Sequence, residues 1–348
     1  MLLAIIADDL TGSLDASAPF AGRGLRTVAA VDSAHIGDAL ARAPDVLAIN
    51  TASRDVSPEE ARRRVSDALA QLPDGLRIFK KVDSRLKGNI VAELMAFPAS
   101  RFSIVPAIPE FGRFVENGVM RGFGIEQPII VEERLRALVG HIDIPDTATV
   151  EQMRSAVKQV KDDAVLVGAR GAACALAESL AGSDSRSVSG CGKNLLMVIG
   201  SRDPITIRQI SELRKACPNL IFLPAPNGRL EPSDGTPANR SGALTLVQAV
   251  EGDEPASEEE VALSLAQSLM DPRLEGRDGL LISGGATAET ILKEGGIGVL
   301  DVQGEIVEGL PVSKAGDLTV ISKSGGFGMP DALAVVARRY GIPVPDLL

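Results

Sequence analysis

Ten consecutive residues, Lys80-Lys81-Val82-Asp83-Ser84-Arg85-Leu86-Lys87-Gly88-Asn89, gather four cations, a carboxylate, a hydroxyl and an amide around one glycine. Cations concentrated in an otherwise acidic chain focus a small anion onto one spot. The segment follows the apolar run Leu76, Ile78, Phe79, read as a buried strand, and precedes a helical pattern of Ile90, Val91, Leu94 and Met95. Open α/β sheets bind their ligands at such strand ends. The opening residues repeat the grammar: an apolar strand from Leu2, the paired carboxylates Asp8 and Asp9, then the turn Leu10-Thr11-Gly12 into a helix. Adjacent carboxylates repel unless a cation stands near. Arg54, Lys81, Ser84, Arg85, Lys87 and Arg113 supply donors at strand ends, and the planar fork of Arg54 suits bidentate carboxylate recognition better than a lysine would.

A second kind of chemistry is written in glycine. Three times in the second half a strand runs into a turn of small residues and then a helix: Gly200-Ser201-Arg202-Asp203-Pro204, Ser283-Gly284-Gly285-Ala286-Thr287, and Ser324-Gly325-Gly326-Phe327-Gly328, the last preceded by Lys323. Glycines let backbone N–H groups converge, and a helix amino end adds partial positive charge, so each turn can cradle phosphate. None matches the pattern of glycine, four residues, then Gly-Lys-Ser/Thr; Gly192-Lys193-Asn194 is a near miss. No Gly-x-Gly-x-x-Gly follows the first strand, which argues against a dinucleotide fold.

The elements that must position these groups alternate. Strands are expected near Leu2 to Ala7, Thr27 to Val31, Val46 to Asn50, Arg77 to Lys80, Phe102 to Pro106 and Ala164 to Val167, with helices between, which predicts α/β architecture with mostly parallel sheets. Ser57 as N-cap, Pro58 at N1 and Glu60 at N3 predict a capping box, and Ala61, Val65, Leu69 and Leu72 share one face before Pro73. The segment from Ile104 to Arg113, with Pro106 and Pro109, reads as an ordered loop. The Ser/Gly-rich stretch from Ser183 is expected to be an interdomain linker over 183–193, separating a substrate-binding domain over 1–182 from a nucleotide-binding domain over 194–348. Beyond it, strands are expected at Leu195 to Ile199, Leu220 to Leu223, Leu244 to Val250, Leu280 to Ser283 and Leu318 to Ile321. Helices are expected at Ala172 to Leu180, Thr206 to Ala216, Ser257 to Met270 with a second capping box, and Asp331 to Tyr340. Asn227 to Asn239 reads as a surface loop.

Composition removes other classes. With 348 residues, 45% hydrophobic, the chain is long enough for two cores. A net charge of −10, one Tyr and no Trp disfavour nucleic acid and anionic membrane as partners. Cys174, Cys191 and Cys217 are odd in number and widely spaced, fitting neither a disulfide framework nor a zinc site, and a reducing cytoplasm is the expected location. No run approaches the ~18 apolar residues of a membrane span. A homodimer is the expectation from the prevalence of two-fold assemblies.

Taken together, the Asp8-Asp9 opening, the Lys-Asp-Ser-x-Leu-x-Gly-Asn loop and the Lys323 to Gly328 turn resemble the four-carbon acid sugar kinases, in the same order and over residues 2 to about 335. The resemblance implies two α/β domains with a catalytic cleft between them, ATP and Mg2+ as cofactors, and a small anionic sugar acid as substrate. It implies substrate contacts at Asp9, Arg54 and Lys81, Val82, Asp83 and Ser84, to which the residue reading adds Arg113. It implies ATP contacts at Ser201, Gly284, Gly285, Thr287, Gly325, Gly326 and Gly328, with Lys323 beside them. The chain departs from the family pattern at Ala286, where Asp is usual, and at Arg85 and Lys87, where Thr and Arg are usual.

Phosphoryl transfer needs positioning, charge neutralisation and a group to take the hydroxyl proton. His35 and His141 lie outside the motifs, so Asp9 or Asp83 is the expected base, Asp8 or Asp15 is available to a magnesium ion, and Lys81 or Lys87 to the moving phosphoryl group. The metal ligands are left unassigned. Two other classes compete: a ligand-binding or regulatory protein that keeps the fold without the chemistry, and a hydrolase or lyase using Asp8 and Asp9 around a metal.

Overall fold

Leu3–Ala7, apolar throughout, is buried at all five positions, as a parallel strand covered on both faces must be. It is β1 of a computed structural model that describes residues 1–231, 244–271 and 274–344. The chain divides into two units, Met1–Ser185 and Arg186–Leu348.

In the first unit the chain runs β1, α1 (Leu10–Ala21), β2 (Thr27–Ala30), α2 (Ile36–Ala41), β3 (Val46–Asn50), α3 (Pro58–Leu69), β4 (Ile78–Lys81), α4 (Ile90–Leu94) and β5 (Arg101–Val105). It continues through β6 (Arg113–Glu116), β7 (Val119–Gly122), β8 (Ile129–Ile130), α5 (Val131–Leu135), β9 (His141–Asp143), α6 (Val150–Lys158), β10 (Val165–Gly168) and α7 (Arg170–Ala181). The main strands pair in the order β2-β3-β1-β4-β10-β5-β9, all parallel. β6, β7 and β8 form a separate antiparallel meander. The order turns back on itself at β1, with β3 on one side and β4 on the other. That switch puts the residues after β1, β3 and β4 side by side, where open sheets bind ligands.

The second unit repeats the logic: β11 (Leu195–Ile199), α8 (Pro204–Ala216), β12 (Ile221–Pro226), β13 (Leu244–Val250), α9 (Glu258–Ser268), β14 (Gly279–Ser283), α10 (Gly285–Glu294), β15 (Val299–Val307), β16 (Leu310–Ala315), β17 (Leu318–Lys323) and α11 (Ala332–Tyr340). Strands β12-β13-β11-β14-β17 are parallel, and β16 and β15 continue antiparallel. Here the order switches at β11, between β13 and β14. The core includes Met197, Ile210, Leu213, Leu246, Leu281 and Leu333. Tyr340 closes its floor: the ring is fully buried, its hydroxyl donates to Asp278 Oδ1 at 2.7 Å, and a side chain on Gly279 would strike it.

The strand–helix alternation is as the sequence predicts, with differences of a residue or two at most ends. The antiparallel meander was not foreseen, because its short strands carry little periodicity, and the β15–β16 hairpin was missed although Leu300, Val302 and Ile306 alternate with Asp301, Gln303 and Glu305. At α3, Ser57 accepts the Glu60 amide at 3.2 Å, but the Glu60 carboxylate pairs with Arg63 and Arg64 instead of reaching back. The expected box is therefore half formed, because two guanidiniums outcompete one backbone amide. The box at Ser257 and Glu260 is complete. Residues 186–193, within the stretch read as a linker, are stitched to the second unit: Val188 N–H donates to Glu305, Gly190 to Arg339 and Gly192 to Tyr340 carbonyls. Of the loop expected over Asn227 to Asn239, residues 232–239 lie outside the described residues. Among the described residues no helix is long and apolar enough to cross a membrane.

Candidate functional site

In the first unit the two opening carboxylates are held by one guanidinium from the end of β3. Arg54 Nε donates to Asp8 Oδ2 at 2.8 Å and Nη2 to Asp8 Oδ1 at 3.0 Å, while Nη1 reaches Asp9 Oδ2 at 2.9 Å. The planar fork expected for carboxylate recognition is thus filled by the protein's own carboxylate. Burial would push the Asp8 carboxyl up, but Arg54, Lys80 and Lys81 outweigh it and hold it below its usual range. Burial likewise pulls the Arg54 guanidinium down, and Asp9 and Asp8 more than restore it.

Asp9 is the N-cap of α1: its Oδ1 accepts the Gly12 amide at 2.8 Å and its Oδ2 the Thr11 hydroxyl at 2.7 Å. With Arg54 that makes three donors, so little acceptor capacity remains. Gly12 is needed here, since a side chain on it would come within 2.4 Å of Asp9 Oδ1 and 3.0 Å of Lys81 Nζ. Lys81 is buried and donates to the Val82 carbonyl at 3.0 Å.

The loop after β4 is a tight Asx-type turn. Asp83 Oδ1 accepts the Arg85 amide at 2.8 Å and the Lys87 amide at 3.3 Å, and Gly88 takes a left-handed φ of 89° against Asp8 and Arg54. Among the described residues no donor reaches Asp83 Oδ2, and neither the Arg85 guanidinium nor the Lys87 ammonium has an ion-pair partner. Arg113 differs: Nε and Nη2 donate to the Phe123 carbonyl and Nη1 to Ser84 Oγ, and the side chain is buried. Burial, with Arg85 nearby, lowers its affinity for a proton, partly offset by Asp83. Arg113 ties the Ser84 turn to the segment after β7 instead of offering a free fork.

Helix α4 braces this constellation from below. Asn89 Nδ2 donates to the carbonyls of Ser53 (2.9 Å), Arg54 (3.2 Å) and Val56 (2.8 Å), fixing the loop that carries Arg54. One turn on, Glu93 is fully buried, accepts from Ser53 Oγ, and lies 3.0 Å from the equally buried Lys80 Nζ. The Lys80–Glu93 contact lacks hydrogen-bond alignment, and Lys80 aims its proton at the Lys81 carbonyl at 2.8 Å. Charge neutralisation is its main content. Asp15, considered for a metal, pairs with Arg170 Nη1 at 3.2 Å.

In the second unit the three glycine turns follow β11, β14 and β17, which are neighbours. Gly200 and Ser201 amides donate to the Ser283 carbonyl at 3.0 and 3.2 Å, and the Gly284 amide to the Lys323 carbonyl at 3.3 Å. Side chains are excluded where the turns meet: a Cβ on Gly200 would stand 2.0 Å from Thr287 Oγ1, and one on Gly325 would stand 2.4 Å from Ser201 Oγ. Ser201, Gly284, Gly285, Thr287, Gly325 and Gly326 therefore share one region. Gly328 lies further along, against Gln209 and Ala332. Lys323 is fully buried and donates to Thr206 Oγ1 (3.0 Å) and the carbonyls of Ser324 (3.0 Å) and Gly325 (3.3 Å). Burial lowers it to about 8, against a smaller opposing pull from Asp203. It shapes the third turn from behind, although the sequence suggested a ligand contact. Ser283 Oγ is buried with no hydrogen-bond partner.

Sequence reading missed Glu93 and Arg170, and it counted Lys80 and Asn89 in the loop without giving either a role of its own. Glu93 left a signal, a carboxylate three residues from Ile90 and next to Leu94 on the apolar face of a helix. Among the described residues no group of three or more His, Cys, Asp or Glu can hold a metal ion.

Comparison with known proteins gives each half a counterpart. Residues 3–188 match the family model of a sugar-binding N-terminal domain, and residues 196–333 that of a nucleotide-binding C-terminal domain. A D-threonate kinase from Cupriavidus necator is 30% identical, with 89% of each chain aligned. A D-erythronate kinase from Heliobacterium modesticaldum is 37% identical over 33% of this chain and 28% of its own. A Salmonella typhimurium LT2 protein provisionally described as a tRNA synthase superimposes with a TM-score of 0.75 at 18% identity, covering 98% of this chain and 99% of that one, a likeness of fold alone.

Proposed function

The chain belongs to the four-carbon acid sugar kinase family, and from that premise we propose that it transfers the terminal phosphoryl group of ATP to the 4-hydroxyl of a four-carbon sugar acid such as threonate, erythronate or a 3-oxo-tetronate. The observation that carries the nucleotide half is the meeting of three glycine turns at neighbouring strand ends, packed so closely that a Cβ on Gly200 or Gly325 would collide. Such a cradle offers converging amides to phosphate oxygens. Ser201, Gly284, Gly285, Thr287, Gly325 and Gly326 line it, and Lys323 keeps the third turn in shape. A magnesium ion bound with the nucleotide supplies charge neutralisation during transfer.

The acid half rests on the loop after β4. Arg85 and Lys87, unpaired among the described residues, are the donors for the substrate carboxylate, and they stand where the loop departs from the family pattern. Of the two candidate bases, Asp83 is better placed than Asp9. Its Oδ2 is open to a hydroxyl proton, whereas Asp9 already receives three donors. Asp8, Asp9 and Arg54 form a neutralised floor with Lys81 beside it. Arg54 orients the two aspartates and helps keep Asp8 ionised.

Phosphorus NMR of a reaction containing ATP, magnesium and a panel of tetronic acids tests the reading, since it reports both turnover and the position phosphorylated. A new phosphomonoester resonance coupled to the C4 protons is the expected outcome. Acid-induced melting shifts with no ADP formed from any acid would replace it with a ligand-binding role.

A further inference from the structure

The glycine cradle contains a carboxylate that its shape does not require. Asp203 caps α8, with Oδ1 accepting the Ile205 amide at 2.9 Å. Its other oxygen, Oδ2, lies 3.5 Å from where a side chain on Gly326 would begin, and a Cβ on Gly325 would stand 3.2 Å from Asp203 Cβ. Among the described residues no donor reaches Oδ2 and no cation lies within ion-pair distance of it. Lys323 gives its hydrogen bonds to Thr206 and two turn carbonyls and offsets the Asp203 charge only through space, with no ion pair formed between them. The second turn carries the neutral Ala286.

Phosphate oxygens brought into this cradle therefore meet a negative charge. Like charges brought close at a partly desolvated surface repel, which opposes what the amides contribute. A divalent cation between them reverses the sign. Magnesium is commonly held by one or two carboxylates together with substrate phosphates and water, without a cage of protein ligands. That fits one carboxylate beside glycine turns, in a protein whose described residues contain no three-ligand metal cluster.

We infer that Asp203 is the protein's own anchor for the divalent cation of a metal–nucleotide complex, and that the second unit selects metal-bound over free nucleotide through this side chain. The inference rests on the nucleotide reading above. Capping α8 does not itself call for a carboxylate, because Asn and Ser cap as well as Asp. Asp203→Asn and Asp203→Ser therefore remove the charge and keep the helix start.

The test is calorimetric titration of the full chain with a non-hydrolysable ATP analogue, in magnesium and in EDTA, needing no turnover. The wild-type protein should bind the magnesium complex about tenfold or more tighter than the free analogue, equivalent to ~1.4 kcal/mol. Both variants should lose most of that preference, through weaker binding with magnesium and stronger binding in EDTA. Variants that keep the full preference would overturn the assignment of Asp203 alone. A wild-type protein that binds neither form would bring down the nucleotide reading and this inference together.

Discussion

The two candidate site regions are built by opposite means. In the first unit the surface is made of side chains whose charges are matched: Asp8 and Asp9 against Arg54 and Lys81, Glu93 against Lys80, leaving Asp83, Arg85 and Lys87 over. In the second unit the surface is made by leaving side chains out, at Gly200, Gly284 and Gly325, and the charged groups sit behind or beside it. A network of buried charges is sensitive to the loss of any partner, because the survivor is left desolvated and unpaired. A cradle of glycines is sensitive to the gain of any atom. The same fold logic, a strand-order switch in a parallel sheet, underlies both, so the contrast lies in residue chemistry.

That contrast can be broken by substitution. The largest effect should come from Asp83→Asn, which keeps the acceptor for the Arg85 amide but removes the proton acceptor. We expect turnover to fall about 10³-fold, within the range for a general base, with nucleotide affinity unchanged; near-normal turnover would return the role to Asp9. Next is Glu93→Gln, which strands the Lys80 ammonium in a fully buried position. It should destabilise the first unit by about 3 kcal/mol in a denaturant titration followed by circular dichroism. Nucleotide binding by the second unit should persist, and loss of both together would show that the regions are not independent. Gly325→Val should reverse the pattern, weakening nucleotide binding about 100-fold, or ~2.7 kcal/mol, with the first unit's acid binding intact by calorimetry.

The smallest effect is a pH dependence. Folded Lys323 titrates at about 8 against an ordinary 10.5, so between those values the unfolded chain holds a proton that the folded chain has released. Stability attributable to this group therefore rises with pH across that window, and its burial cost is fully present below pH 8. Relative to Lys323→Met, the wild-type protein should gain about 2 kcal/mol between pH 8 and 9.5, measured by urea denaturation; a flat difference would mean that the ammonium is not desolvated as its surroundings imply.

Much of the scaffold was legible because parallel strands write themselves as short apolar runs, and the turns after β11, β14 and β17 because small residues between a strand and a helix mark a tight connection. Partnership was harder to read. Arg54 looked like a fork for a foreign carboxylate, yet its partner is Asp8, 46 positions away and adjacent only because β1 and β3 pair. Lys323 looked like a phosphate contact because a lysine before glycines invites it. It ends a strand buried on both faces, and its ammonium turns to Thr206. Asp203 stood in the sequence only as one residue of the first small-residue turn, and only the approach of the third turn gives its second oxygen a further meaning.

The buried ring beneath β14 has a practical consequence. The chain has no Trp and a single Tyr, and that tyrosine sits in the second unit. Intrinsic tyrosine emission is therefore a label the protein supplies for one half only. Quenching by the Asp278 carboxylate should be relieved when α11 detaches, so emission should brighten as the second unit melts and stay silent while the first does, letting the two halves be followed separately without attaching a dye.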